Sequence, residues 1–179
     1  MPEESSLQTS FMPLQQFCEA LIITVPPSGS FANVFMGEQH GCASREDGTI
    51  ECWGSDYYGQ ATPPPGVFAH VAAGSAHSCG IRPDGTLECW GLEVGMPPLP
   101  IDDRFVDVAA MNLHTCTIDD DGGLSCWGDD GLAMADPPSG RFSHVVTHEQ
   151  YACALRDDGI VKCWGDDEYG RASPRNGQF

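Results

Sequence analysis

From Phe31 onward the hydrophobic positions of this chain fall into columns 37 residues apart. Phe31, Phe68, Phe105 and Phe142 open each unit, and Val34, Val71, Val108 and Val145 follow three positions later. Within the first unit, Phe31, Asn33 and Phe35 alternate with Ala32, Val34 and Met36, a short run that suits a strand packed on both faces better than a helix. Next comes Cys42-Ala-Ser-Arg-Glu-Asp-Gly-Thr-Ile-Glu-Cys52, centred on an Asp-Gly pair, the strongest short-range signal for a hairpin. Each unit therefore predicts three short strands.

The turn type follows from the cysteines. If Glu46-Asp47-Gly48 form a three-residue loop with Gly48 left-handed, Arg45 pairs with Thr49, Ser44 with Ile50, Ala43 with Glu51, and Cys42 faces Cys52. A two-residue turn would offset the cysteines by one. The three-residue register also places position 44, which is Ile81, Ile118 and Leu155 in the later units, on one face with the cysteines.

The period holds at every other landmark. Cys-Trp-Gly recurs at 52–54, 89–91, 126–128 and 163–165, and a second cysteine lies ten residues upstream each time, at Cys42, Cys79, Cys116 and Cys153. Asp47-Gly48, Asp84-Gly85, Asp121-Gly122 and Asp158-Gly159 keep step. Such a period means one supersecondary module per unit, each stacked on the next. The units run 31–67, 68–104, 105–141 and 142–178, behind an extension at 1–30 in which Ile22–Gly29 align with Gly59–Gly66 as the tail of a degenerate unit. The stretch from Phe11 to Val25 is expected to cover an open sheet edge, and open edges otherwise invite self-association. Met111 and His148 replace the unit-start glycines Gly37 and Gly74, which predicts a different bend in the last two units, and Gly123 at a strand position predicts a weaker third hairpin.

Composition narrows the function. The four units consume nearly all of 179 residues and leave no room for a separate catalytic domain. With 26 acidic and 8 basic side chains the formal charge is −18, which repels phosphate backbones and anionic lipid, so neither nucleic acid nor membrane is an expected partner. Met1–Ser10 is polar and acidic, and the apolar run Ala20–Val25 is too short for the core of a signal peptide or a membrane span.

Nine cysteines, eight of them in equivalent pairs with Cys18 left over, favour oxidation to Cys42–Cys52, Cys79–Cys89, Cys116–Cys126 and Cys153–Cys163 in an extracellular, periplasmic or cell-surface setting. Zinc binding and buried free thiols are the alternatives. His40, His77 and His114 each stand two residues before a cysteine, but short Cys-x2-4-Cys knuckles are missing and the fourth unit has Tyr151. No serine is partnered and no carboxylates are paired for catalysis, so the histidines read as structural hydrogen-bonders and the chain as a non-enzyme with no cofactor. The tryptophans read as wedges between units. The acidic turns lack calcium-loop spacing.

The loops after each tryptophan, at 55–60, 92–97, 129–134 and 166–171, vary while the frame does not, and variable loops on a rigid repeated frame are where binding surfaces usually lie. The candidate contact residues are Asp56, Tyr57, Tyr58, Glu93, Asp129, Asp130, Asp166, Asp167, Glu168 and Tyr169.

The stretch Ala73-Gly-Ser-Ala-His-Ser-Cys-Gly-Ile-Arg-Pro-Asp-Gly-Thr-Leu-Glu-Cys-Trp-Gly91, with Tyr58-Gly-Gln60 and the later Phe-x-x-Val, resembles the repeat of the regulator-of-chromosome-condensation superfamily. In its cysteine-paired form it is similar to secreted crinkly-type receptor ectodomains and, in repeat length, to β-lactamase inhibitor proteins of the second type. The resemblance implies an all-β, β-propeller-type array of four three-stranded blades, partial or open, since seven such blades would need about 260 residues. It also implies a secreted scaffold that binds other proteins through its loops. A carbohydrate-binding propeller, or a hydrolase or lyase with an axial site, is the alternative.

Overall fold

A computed structural model describes residues 26–94, 96–98, 102–128, 136–170 and 172–173. The expectations for Phe11–Val25, for Cys18 and for Asp129 and Asp130 lie outside the described residues. The described chain is all β: four antiparallel sheets of three strands, each in the sequential order predicted. Blade 1 contains β1 (Asn33–Met36), β2 (His40–Ser44) and β3 (Ile50–Gly54), and blade 2 contains β4 (His70–Ala73), β5 (His77–Ile81) and β6 (Leu87–Gly91). Blade 3 contains β7 (Phe105–Met111), β8 (His114–Asp119) and β9 (Leu124–Gly128), and blade 4 contains β10 (Phe142–Thr147), β11 (Tyr151–Arg156) and β12 (Val161–Gly165).

The hairpin register is the predicted one in every blade. Cys42 lies opposite Cys52, Ser44 opposite Ile50, and the same pairing recurs at Cys79 and Cys89, Cys116 and Cys126, and Cys153 and Cys163. Gly48 takes φ 81°, the left-handed conformation that the three-residue loop requires, and Arg45 N–H donates to the Thr49 carbonyl at 2.9 Å. Ladder bonds alternate along an antiparallel pair, so the cysteines two steps beyond Ser44 and Ile50 occupy a close, non-hydrogen-bonded site. Their Cα atoms are 4.0 to 4.1 Å apart and all four disulfides are formed.

Each sheet has two distinct faces, because side chains alternate along every strand. We term the disulfide side the trailing face and the tryptophan side the leading face. The trailing face of one blade packs on the leading face of the next, which produces three cores between blades. Cys42 meets Phe68, Val71 and Trp90; Cys79, Ile81 and Leu87 meet Phe105 and Val108; Cys116 and Ile118 meet Phe142, Val145 and Trp164. Trp90, Trp127 and Trp164 are wedges between blades, as expected, whereas Trp53 lies on the leading face of blade 1, in front of which no described blade stands. Backbone bonds stitch the same joints: the Gly48, Gly85 and Gly122 carbonyls each accept the N–H of the phenylalanine opening the next blade, at 2.9 Å.

Three expectations are corrected. The first strand is not packed on both faces in blade 1, where Val34 and Met36 are exposed, because no described blade stands in front of it. The fourth blade keeps the same bend despite losing its glycine: His148 N–H donates to the Tyr151 carbonyl at 2.8 Å, as Gly37 does to His40 at 2.9 Å, while the third pairs Met111 with His114 and turns through Asn112 at φ 49°. Gly123 does not break the third hairpin. The Asp119 carboxylate accepts the N–H of Gly123 at 2.7 Å and of Asp121 at 2.9 Å, and a Cβ at Gly123 would sit 2.4 Å from Asp119 Oδ2, so glycine is what lets that carboxylate close the turn.

Candidate binding edge

In every blade the chain runs up the first strand, down the second and up the third, so the described post-tryptophan loops, those of blades 1, 2 and 4, and the bends at 37–39, 74–76, 111–113 and 148–150 share one edge. The Asp-Gly hairpins lie on the opposite edge. Backbone bonds join loop to bend: Ser55 N–H to Gln39 at 2.8 Å, Leu92 to Ala76 at 2.9 Å and Asp166 to Gln150 at 2.7 Å.

Two of these loops share one design. Asp56 accepts the Ala61 N–H at 2.8 Å through Oδ1 and the Thr62 hydroxyl at 2.7 Å through Oδ2, closing the turn across its mouth. Asp167 does the same with the Ala172 N–H at 2.9 Å and the Ser173 hydroxyl at 2.7 Å. Short polar side chains that bond their own backbone fix such loops without core packing. The clasps project Tyr57 at 85% and Tyr169 at 87% exposure, with Tyr58 half exposed and set edge-on to Tyr57 at 4.8 Å between ring centres. Tyr169 takes φ 66°, and Asp166 accepts the Glu168 N–H at 3.1 Å. Glu93, Asp167 and Glu168 are exposed on the same edge. Beside Glu93 lies a hollow of about 550 Å³ lined by Trp90, Gly91, Met96 and Pro97.

Gln60 is the residue that the variable-loop reading overlooks. It is buried between blades 1 and 2, where its side-chain oxygen accepts the Tyr58 N–H at 2.8 Å and its carbonyl accepts Trp90 Nε1–H at 3.0 Å and the Ser78 hydroxyl at 3.3 Å. The only trace in the sequence is its place in Tyr58-Gly-Gln60; its side chain bonds within its own loop while its carbonyl is taken by the neighbouring blade, and neither contact leaves a periodic signal.

Beneath this edge runs a file of imidazoles. His40 Nε2 bonds the Ser78 hydroxyl at 2.7 Å and His77 Nε2 the Thr115 hydroxyl at 2.8 Å, each across a blade joint. These histidines are structural hydrogen-bonders. Burial lowers the pKa of His40, against the opposing pull of the Asp56 carboxylate and the Ser75 backbone. Burial, reinforced by His40 and His114 on either side, lowers His77 to about 4. The disulfides remove the repeat cysteines as thiolate ligands, and among the described residues no group of three or more His, Cys, Asp or Glu side chains is placed to hold a metal ion.

The model of the regulator of chromosome condensation (RCC1) repeat matches residues 31–60, 68–93 and 149–171. Over these three segments the chain is similar to RCC1 repeats. The third blade has the same register and disulfide, although the repeat model does not match it. No curated protein matches the chain by sequence. Among solved structures, the chain is similar to the entire ectodomain of the receptor kinase CR4 from Physcomitrella patens, at 29% identity and TM-score 0.69 over 87% of this chain and 46% of that one. It is also similar to the crinkly WD40 ectodomain of ACR4 from Arabidopsis thaliana, at 26% identity and TM-score 0.63, with 78% and 55% covered. Prp20p from Saccharomyces cerevisiae, described with binding to Gsp1p and histones, shares the fold at 18% identity and TM-score 0.66, with 79% and 47% covered. The chain thus spans about half the length of these proteins, and its sheets form an open propeller. Among the described residues no helix is long and apolar enough to cross a membrane.

Proposed function

We propose that this chain is a secreted, non-catalytic propeller scaffold of four repeats, 31–67, 68–104, 105–141 and 142–178, that binds another protein through the edge carrying the post-tryptophan loops. The observation that carries the reading is the pair of aspartate-clasped loops holding Tyr57 and Tyr169 almost fully in solvent. A large aromatic displayed on a rigid turn loses little side-chain entropy on binding, which is why tyrosine is enriched where protein partners are gripped.

The charge specifies the partner further. Asp56, Glu93, Asp166, Asp167 and Glu168 line this edge on a chain of net charge −18, so the complementary surface is basic and association is faster at low ionic strength. An extracellular setting is supported by the four disulfides and by the receptor ectodomains that share the fold.

The test is differential capture. Immobilised wild-type chain and a Tyr57→Ser, Tyr58→Ser, Tyr169→Ser variant are exposed to the same extracellular protein fraction, and whatever the wild type alone retains is titrated against both. The expected loss in affinity is about 30-fold or more, the scale for removing an aromatic hot spot. Equal retention by both chains would reject this edge as the binding surface.

A further inference from the structure

The third strand of each blade is the outermost, and its outer rim is open. In blade 2 the Arg82 N–H bonds the Thr86 carbonyl, and an antiparallel ladder alternates, so Gly80 with Glu88 and Ser78 with Trp90 are the next hydrogen-bonded pairs. Leu87 and Cys89 therefore aim their N–H and C=O groups away from β5, towards the rim. Ile50 and Cys52 have the same parity in blade 1. Both β3 and β6 are terminal in their sheets, and these groups have no backbone partner among the described residues. Natural sheets blunt such edges with lysine, proline or a bulge. β12 follows that rule with Lys162, but β3 and β6 carry none of the three, and the bulges at Phe105/Asp107 and Phe142/His144 fall between first and second strands.

In blade 2 this edge meets a hollow. Blades pack on both faces of that sheet, so the rim of β6 is open because of the topology and not because the array stops. The hollow beside Glu93 is bounded by Cys89 and Gly91 of β6 and by Met96, Pro97 and Pro98 of the connector that follows. Pro97 and Pro98 have no N–H, so this part of the connector cannot complete the ladder. Propeller blades typically have four strands, and a fourth would lie against β6. We propose that the β6 edge accepts an extended, basic segment of a partner protein as the fourth strand of blade 2, held by main-chain bonds to Leu87 and Cys89.

Charge selects the occupant. Glu88 stands on the edge itself and shares its charge with Arg82, while Glu93 is exposed beside the hollow and makes no ion pair among the described residues. On a chain of net charge −18 they favour lysine or arginine at alternate positions of the incoming strand. In strand addition the main chain supplies affinity and alternate side chains supply specificity. The same edge of a second copy would bring like charges together across the new ladder, which is destabilising. The inference rests on the reading of this chain as a protein-binding scaffold, but not on its tyrosines.

The test begins with a random library of short linear peptides displayed on phage and selected on the full, disulfide-intact chain. The recovered peptides are synthesised and titrated into isotope-labelled protein, with backbone amide shifts as the readout. The expected peptides are basic at alternate positions and shift the amides of Leu87 and Cys89. N-methylation of alternate peptide residues of one parity should weaken binding about 30-fold or more, since several main-chain bonds are lost, while the other parity is tolerated. Glu93→Lys should weaken it about tenfold through charge reversal, with circular dichroism to confirm folding and Glu93→Gln in its place if the reversal misfolds. The proposal is overturned if no peptide is enriched over an unrelated protein, if N-methylation acts without regard to parity, if the shifts fall on the Tyr57 and Tyr169 loops and not on β6, or if the same shifts arise by self-association without peptide. Because the Leu87 and Cys89 amides report the rim alone, failure here leaves capture through the tyrosines standing, and failure of that capture leaves these shifts standing.

Discussion

Lowering the pH from 7 to 5 should remove about 2 kcal/mol of folding stability through His77 alone. Its ring is fully buried at the joint of blades 2 and 3, Nε2 bonds the Thr115 hydroxyl at 2.8 Å, and Nδ1 has no hydrogen-bond partner. Burial first, then the imidazoles of His40 and His114, lower its pKa from 6.5 to about 4. The unfolded chain takes up a proton below about 6.5 and the folded chain does not until about 4, so acid favours the unfolded state in that window. The stabilisation is complete above the unfolded value, is lost as pH falls towards the folded one, and totals about 3 kcal/mol at 1.36 kcal/mol per pKa unit. His40 shifts in the same direction and adds to the loss. Protonation of the 26 acidic side chains also relieves self-repulsion at low pH, so the wild type must be compared with a variant that shares that background. Urea unfolding followed by tryptophan fluorescence, at pH 7, 6, 5 and 4.5 with disulfides intact, is run on the wild type and on His77→Gln. The variant starts less stable at pH 7, and the gap should narrow by about 2 kcal/mol by pH 5. Parallel loss in the two proteins would refute the reasoning.

Two further outcomes follow from the joints between blades. Replacing Cys79 and Cys89 together by serine should cost about 2.5 to 3 kcal/mol from the loss of a closed loop of about ten residues, read as a lowered thermal midpoint with far-UV dichroism still β; an unchanged midpoint contradicts it. Gln60→Ala should cost about 1 to 3 kcal/mol, because the partly buried Tyr58 N–H loses its acceptor, and urea midpoints that match the wild type would show that the loop does not need this anchor.

Much of the local structure was legible before any coordinates. The Asp-Gly turn and the cysteine spacing constrain each other, since only the three-residue loop brings Cys42 opposite Cys52, and that register was found in all four blades. The exposed tyrosines were also legible as residues of variable loops. The role of Gln60 was not, nor was the hydroxyl partner of each histidine, because Ser78 and Thr115 lie 38 residues further along and belong to the neighbouring blade. Reading Gly123 as a weakness failed for a similar reason: its value lies in the approach of the Asp119 carboxylate, which residue type alone does not show.

By itself the sequence determined what depends on neighbours along the chain: the period, the hairpin register, the pairing of the disulfides and the two-faced character of each sheet. Turn geometry and side-chain alternation operate over a few residues, so spacing suffices to read them. The tertiary structure alone decided which copies of a repeated residue are covered. Val34 and Val145 are the same residue at the same phase, yet one is bare and the other is buried, because burial is a property of the blade in front and not of the residue that it covers.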